Sequence, residues 1–106
     1  NLITNSFDAI ELAPVKWIEI TLKSNRIFIK DSGLGIPEKY FAQLMNPFFT
    51  TKPPGKGVGL GLSISKSIIE NHHGKLVYDQ TSENTCFIIE FPMEKISHRP
   101  TSDYFL

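Results

Sequence analysis

The sequence predicts an α+β fold, a two-layer sandwich with helices on one face of a sheet. Two observations carry this. Runs of alternating apolar residues come in close pairs, at 16–23 with 26–30 and at 75–80 with 85–91, each pair joined by a short polar turn. Segments with apolar residues at helical spacing, at 1–12 and 60–71, precede each pair. The order is helix, hairpin, helix, glycine loop, helix, hairpin, and antiparallel strand pairs with helices between them stack those helices on one side of the sheet. A chain of 106 residues holds one small domain and not two.

Each element has its own signal. At about 100° per residue, Asn1, Asn5 and Asp8 share one side of the first helix, and Ile3, Phe7 and Ile10 lie on the other. The apolar side is expected to pack, and Ala13-Pro14 to end the helix. Lys16–Lys23 then places Ile18, Ile20 and Leu22 on one face. Ser24-Asn25 turns the chain into a second strand, Arg26–Lys30, which runs into the loop Asp31-Ser32-Gly33-Leu34-Gly35. Pro37 opens a short amphipathic helix, Glu38–Met45, and Asn46-Pro47 stops it. A loop rich in Gly, Pro, Thr and Lys follows. Leu60, Ile64 and Ile68 recur every four residues and predict a helix over Leu60–Asn71, with Gly74 as its left-handed cap. Strands at Lys75–Gln80 and Thr85–Phe91 meet across Thr81–Asn84, and Pro92 ends the last. Residues 93–106 show no periodicity, so the domain is read as 1–92 with a C-terminal tail.

Composition narrows the function. The 11 basic and 11 acidic residues cancel, which argues against a nucleic-acid binder. Cys86 is the only cysteine, so no internal disulfide forms, and this fits a reducing cytosol. No apolar run approaches the roughly 18 residues a membrane span needs. The opening Asn1-Leu2-Ile3 reads as the middle of an element without a cap, which suggests a piece of a longer protein.

Three segments carry chemistry. In Gly57-Val58-Gly59-Leu60-Gly61-Leu62, glycines open directly into a helix, whose free N–H groups and partial positive charge suit phosphate. Lys52 and Lys56 lie just upstream and add charge. Alone, the loop equally fits an ordinary turn; it is neither a dinucleotide fingerprint, having no βαβ unit, nor a Walker loop, as Lys-Ser/Thr does not follow the last glycine. In Asp31-x-Gly33-x-Gly35, a carboxylate at a strand end can accept from an exocyclic amine such as that of adenine, with glycines leaving room for a flat base; a solvated turn is the alternative. The stripe Asn1/Asn5/Asp8 offers hard oxygen donors suited to Mg²⁺, or else a plain polar face.

Together these segments strongly resemble the histidine-kinase branch of the GHKL ATPase superfamily, the catalytic and ATP-binding domain of bacterial two-component sensor kinases. Asn1-Leu-Ile-Thr-Asn5-Ser-Phe-Asp8-Ala9 looks like the N box and Asp31-Ser-Gly33-Leu-Gly35-Ile36-Pro37 like the G1 box. Asn46-Pro47-Phe48-Phe49-Thr50-Thr51-Lys52 looks like the F box, Gly57-Val-Gly59-Leu-Gly61-Leu-Ser-Ile64 like the G2 box, and 84–92 like the terminal strand. The motifs cover about residues 1–92 in family order. The short Pro53-Pro54-Gly55-Lys56 segment and the Phe-Phe-Thr-Thr-Lys string resemble the nitrogen-regulator and dicarboxylate-sensor type.

The resemblance implies a mixed sheet with helices on one face, lacking at its N-terminus the strand and helix start that family members carry before the N box. It implies ATP and Mg²⁺ as ligands. Asn5 would be the main metal ligand, with Asn1 near metal and phosphates. Asp31 would read the adenine amine and Thr85 support that edge, while Gly33 and Gly35 line the base pocket. Gly57, Gly59 and Gly61, with Leu60 and Leu62, would form the lid and its phosphate-facing hinge. Phe48 and Phe49 would anchor the lid or meet a helical dimerisation and phosphoacceptor domain, and through it a response regulator. A cytoplasmic domain without its own membrane contact is implied, compatible with a parent anchored elsewhere. The chain departs from the family at Met45 and Asn46, which replace the Phe-Glu of the F box, at Ser32 and at Asn84.

Hydrolysing members of the superfamily carry a general-base glutamate four residues before the metal asparagine. Here that position is Asn1, whose amide cannot take a proton near neutral pH. A histidine brings its own lone pair, so the sequence favours phosphotransfer to histidine over hydrolysis. No histidine in the chain reads as the acceptor: His72 and His73 end a helix and fit a capping role, and His98 lies in the tail. The alternative is an ATP-sensing or ATP-hydrolysing module without histidine transfer.

Overall fold

The computed structural model describes residues 1–49 and 61–93. Strand β1 (Ile18–Lys23) and strand β2 (Arg26–Asp31) form an antiparallel hairpin, in register from Ile18 opposite Asp31 to Lys23 opposite Arg26. Ser24, in the turn, takes φ 56°. A second hairpin joins β3 (Lys75–Tyr78) to β4 (Cys86–Glu90). The two hairpins meet through β2 and β4, giving the order β1-β2-β4-β3. All three described pairings are antiparallel; the parallel pairing that a mixed sheet requires is not among the described strands.

One face of this sheet holds the core. Ile29 stands opposite Phe87, which stands opposite Tyr78. Leu2 of α1 (Leu2–Ala9), Ile69 of α2 (Gly61–Asn71) and Leu44 close over them, with Leu76 completing the cluster. Burying each such side chain contributes about 1.5–3 kcal/mol. The two-layer arrangement expected from the sequence is therefore present. Among the described residues no helix is long and apolar enough to cross a membrane.

The helices pack on different faces from those expected. On α1, Leu2, Ser6 and Ile10 are buried, whereas Ile3 and Phe7 are 44% and 63% exposed. On α2, Ser65 and Ile69 are buried, while Ile64 and Ile68 lie outward. In both cases a serine sits at the contact line. A small side chain lets the helix approach its neighbour closely and displaces the larger isoleucines to the flank. Ile20 and Leu22, opposite the buried Ile29 and the partly buried Ile27, are also exposed on the edge strand β1.

Several boundaries shift. α1 stops at Ala9 rather than near residue 12, with Ile10 as its cap. The segment 38–45 contains a 3-10 helix at Glu38–Gln43. The first strand begins at Ile18, not residue 16, and the second hairpin strands are shorter than the alternation suggests.

The cap of α2 also differs: His73, not Gly74, is left-handed, with φ 65°. The Gly74 N–H donates to Ile69 O at 2.9 Å and the His73 N–H to Glu70 O at 3.0 Å, the two bonds of a Schellman motif with its left-handed residue at 73. Gly74 is required for a different reason. A Cβ there would lie 2.8 Å from Glu90 O and 2.9 Å from Ile69 Cγ2, where the chain enters β3 beside the end of its partner β4. The two histidine side chains are exposed.

Cys86 is 3% exposed, and burial pushes its thiol up from the ordinary cysteine value. It is therefore neutral near pH 7. Thiol alkylation at neutral pH is expected to be slow until the chain unfolds. The folded state binds this proton more tightly than the unfolded state, so the Cys86 contribution to stability is full below the unfolded thiol pKa and falls as pH rises through the folded one. Mass spectrometry after timed alkylation checks the first statement. The cap gives a second expectation by chemical denaturation. Gly74→Ala should destabilise by about 1–3 kcal/mol through overpacking, whereas His73→Gly should be neutral or stabilising because it relieves a left-handed residue.

Candidate functional site

Strand β2 ends on Asp31, and its pairing with the other hairpin extends one step beyond the regular ladder: the Asp31 N–H donates to Thr85 O at 3.0 Å. The Asp31 side chain is carried inward and is only 1% exposed. Its Oδ1 accepts the Gly33 N–H at 2.8 Å, and no ion pair to it is present among the described residues. A carboxylate offers more acceptor sites than this one bond uses, so further donors can meet it.

Gly33 is the residue that permits this. A Cβ built there would lie 2.7 Å from Asp31 Oδ1, 3.1 Å from Thr85 Oγ1 and 3.4 Å from Ala9 O. Thus Asp31, Thr85 and the C-terminal end of α1 converge on one bare backbone position. Thr85, 7% exposed, accepts the Gly35 N–H on its hydroxyl at 3.1 Å and donates its own N–H to Gly33 O at 3.3 Å. Gly35 has φ 89°, a conformation that suits glycine. Trp17 and Ser32 pin the other side of the loop: the Trp17 N–H donates to Ser32 Oγ and the Ser32 N–H to Trp17 O, each at 3.0 Å.

At the opposite end of α1 lie the amides. Asn1 Nδ2 donates to Gly61 O at 3.4 Å, and a Cβ on Gly61 would be 3.9 Å from Asn1 Cβ, Asn1 Cγ and Asn5 Nδ2. Gly61 is the first residue of α2, where N–H groups lack helical partners and the helix end is partially positive. Leu62 is half-buried against the core. Asp8 is exposed, one turn along from Asn5 towards the Asp31 loop. The 8-residue α1 therefore spans the two ends of the site, a distance of about 12 Å at its rise per residue.

The structure thus brings together Asn1, Asn5 and Gly61 at one end and Asp31, Gly33, Gly35 and Thr85 at the other, with Asp8 between. Lys52, Lys56, Gly57, Gly59 and Leu60 lie outside the described residues. Phe48 and Phe49 part company: Phe49 packs on Tyr40 with ring centroids 5.5 Å apart, while Phe48, at φ 67°, is 74% exposed.

Two residues that sequence reasoning passed over hold the pocket. Tyr78 is wedged between Phe41 and Phe87, at 5.4 and 5.2 Å between centroids, and its hydroxyl accepts the Ile36 N–H at 2.9 Å. Asn84 Nδ2 donates to Gly33 O at 3.1 Å. The signal for Tyr78 was a polar handle on a core-facing strand position; for Asn84 it was its departure from the family pattern just before Thr85.

The family profile described as Histidine kinase-, DNA gyrase B-, and HSP90-like ATPase matches residues 1–95. The chain belongs to this ATPase family. Among its relatives are sporulation kinase A of Bacillus subtilis, 41% identical over 95 residues, and the sensor protein TdiS of Thauera aromatica, 38% identical over 91 residues. These matches cover 87% and 78% of this chain but only 15% and 16% of the relatives, so the chain spans a small part of their length. The catalytic domain of histidine kinase ThkA, in a nucleotide-free form, superposes with a TM-score of 0.68 at 36% identity, covering 87% of this chain and 62% of that one. Within the ATPase family, the fold is that of a histidine-kinase catalytic domain.

Gly33→Ala is expected to push Asp31 and Thr85 apart without altering the core cluster. It should abolish nucleotide binding in calorimetry while leaving the far-ultraviolet circular dichroism unchanged.

Proposed function

We propose that this domain binds Mg-ATP along α1 and presents its γ-phosphate to a histidine on a separate helical domain of the same protein. The observation that carries the reading is the buried Asp31 carboxylate at the end of a central strand, whose Oδ1 accepts the Gly33 N–H and against which Thr85 and the bare Gly33 backbone pack closely. An adenine amine is a donor of the right kind for that acceptor, and Thr85 would support the same edge.

The triphosphate would extend along the α1 stripe to Asn5, Asn1 and the start of α2, with the glycine loop and Lys52 and Lys56 completing the cradle. The donor set fits Mg²⁺. No group of three or more His, Cys, Asp or Glu side chains suited to a metal exists among the described residues. Mg²⁺ instead takes one or two protein oxygens and fills its octahedron with phosphates and water. Because the Asn1 Nδ2 is engaged with Gly61 O, its Oδ1 is the atom left for a cation; Asn5 would be the principal ligand. When bound, the metal neutralises charge on the transferring phosphoryl group.

The domain's own residues bind, orient and charge-balance the nucleotide. Asn1 holds the position of a general base and cannot take a proton, so activation of water there is disfavoured. The nucleophile is then the neutral imidazole of the acceptor, outside this chain. The exposed Phe48 suits contact with the helical acceptor domain. A response regulator would receive the phosphate in turn. The reading places the domain in the cytoplasm, where ATP is available.

Titration of Mg-ATP into the full-length protein tests the ligand. Asp31→Asn turns an acceptor into a donor facing the adenine amine, and Asn5→Ala removes a metal ligand. Each should weaken binding by at least about 100-fold. Incubation with γ-labelled ATP should yield acid-labile, base-stable phosphoprotein. Steady ATP turnover with no phosphohistidine would favour the hydrolytic alternative, and wild-type affinity in either variant would overturn the residue roles.

A further inference from the structure

α1 ends at Ala9, and a lysine outside the family motifs reaches back over the carbonyls that follow it. The Lys16 Nζ donates to Ala13 O at 2.7 Å, Glu11 O at 2.8 Å and Ile10 O at 3.1 Å. An ammonium has three N–H donors, and here all three are matched by main-chain carbonyls. The helix end is the negative end of the dipole, so a cation is favoured there; Ile10 O also accepts the Ala13 N–H at 3.0 Å, while Glu11 O and Ala13 O lie just beyond the helix. Carbonyl oxygens can replace part of the water around a potassium ion, and three of them supply part of such a shell, with water completing it.

The position of the nest matters for the site. The residue after Lys16 is Trp17, whose N–H and C=O both pair with Ser32, between Asp31 and Gly33. The carbonyl of Ala9, one residue before the nest, lies beside Gly33. A short path thus runs from the helix that carries Asn1 and Asn5, through the ammonium, to the loop that carries Asp31.

We propose that Ile10 O, Glu11 O and Ala13 O form a monovalent-cation site that the Lys16 ammonium fills in place of a free ion, and that the filled site holds the amide-bearing helix in register with the Asp31 loop. The second half rests on the nucleotide reading; the first does not. Lys16 is exposed, so truncating it opens the nest to solvent ions without burying a new cavity. Lys16 is a positioning residue.

The test compares wild type and Lys16→Ala in the full-length protein by hydrogen exchange of residues 2–17, in potassium, ammonium and tetramethylammonium chloride at equal ionic strength. Wild type should exchange alike in all three. The variant should exchange faster in tetramethylammonium, which is too large for the nest, and recover in potassium or ammonium. A general loss of packing would not distinguish these salts. Mg-ATP affinity of the variant should be about fivefold weaker in tetramethylammonium and recover in parallel. Exchange by the variant that is the same in all three salts would overturn the cation site. Recovery of exchange with no change in affinity would overturn the link to the nucleotide. Should Lys16→Ala not accumulate as folded protein, Lys16→Ser carries the same expectations. Absence of Mg-ATP binding in wild type would count against the nucleotide reading instead, with the exchange result deciding the cation site by itself.

Discussion

The convergence of Asp31, Thr85 and the end of α1 on Gly33 sets the shape of the polar end of this domain. A carboxylate that is 1% exposed belongs to an environment that penalises charge. The chain tolerates it because β2 and β4 are the two central strands, and the backbone of Asp31 and Thr85 continues their ladder by one step. The carboxylate is therefore fixed by the most constrained part of the sheet, not by a loop. Only where the ladder ends does the backbone turn away, and there a side chain would strike Asp31 Oδ1 at 2.7 Å. The close approach of Asp31, Thr85 and Ala9 O depends on that missing Cβ.

α1 turns that local arrangement into an extended site. The same short helix brings its Ala9 carbonyl beside Gly33 and its Asn1 amide to Gly61, so in the proposed reading base and phosphate recognition share one rigid element. Its orientation is set by Leu2 and Ile10 in the core and by the lysine-filled carbonyls at its end. The aromatic group Phe41, Tyr78 and Phe87 does the matching work beneath the loop, where one phenol both packs in the core and caps the Ile36 amide.

Much of this was legible in the sequence. The two hairpins and the helix that follows the glycine-rich segment were read from period-two alternation and from apolar residues at helical spacing. What escaped was set by tertiary contact. Periodicity located an apolar face on each helix but could not tell that Ser6 and Ser65 would occupy the contact line and leave Ile3, Phe7, Ile64 and Ile68 outside it. Proximity to Glu90 on the paired strand β4, not backbone handedness, explains Gly74, and nothing local to Gly74 reveals that close approach. The lysine that reaches back over three carbonyls just past the end of α1 was likewise not legible. The polar contacts of Tyr78 and Asn84 join positions more than 40 residues apart, beyond any pattern read along the chain.

The reciprocal bonding of Trp17 with Ser32 has an optical corollary. Trp17 is the chain's single indole, 38% exposed and one residue removed, through Ser32, from both Asp31 and Gly33. Its emission is sensitive to small changes in local polarity. A displacement of the loop around a bound base is therefore transmitted to a native fluorophore, and the domain carries its own reporter of occupancy without a label.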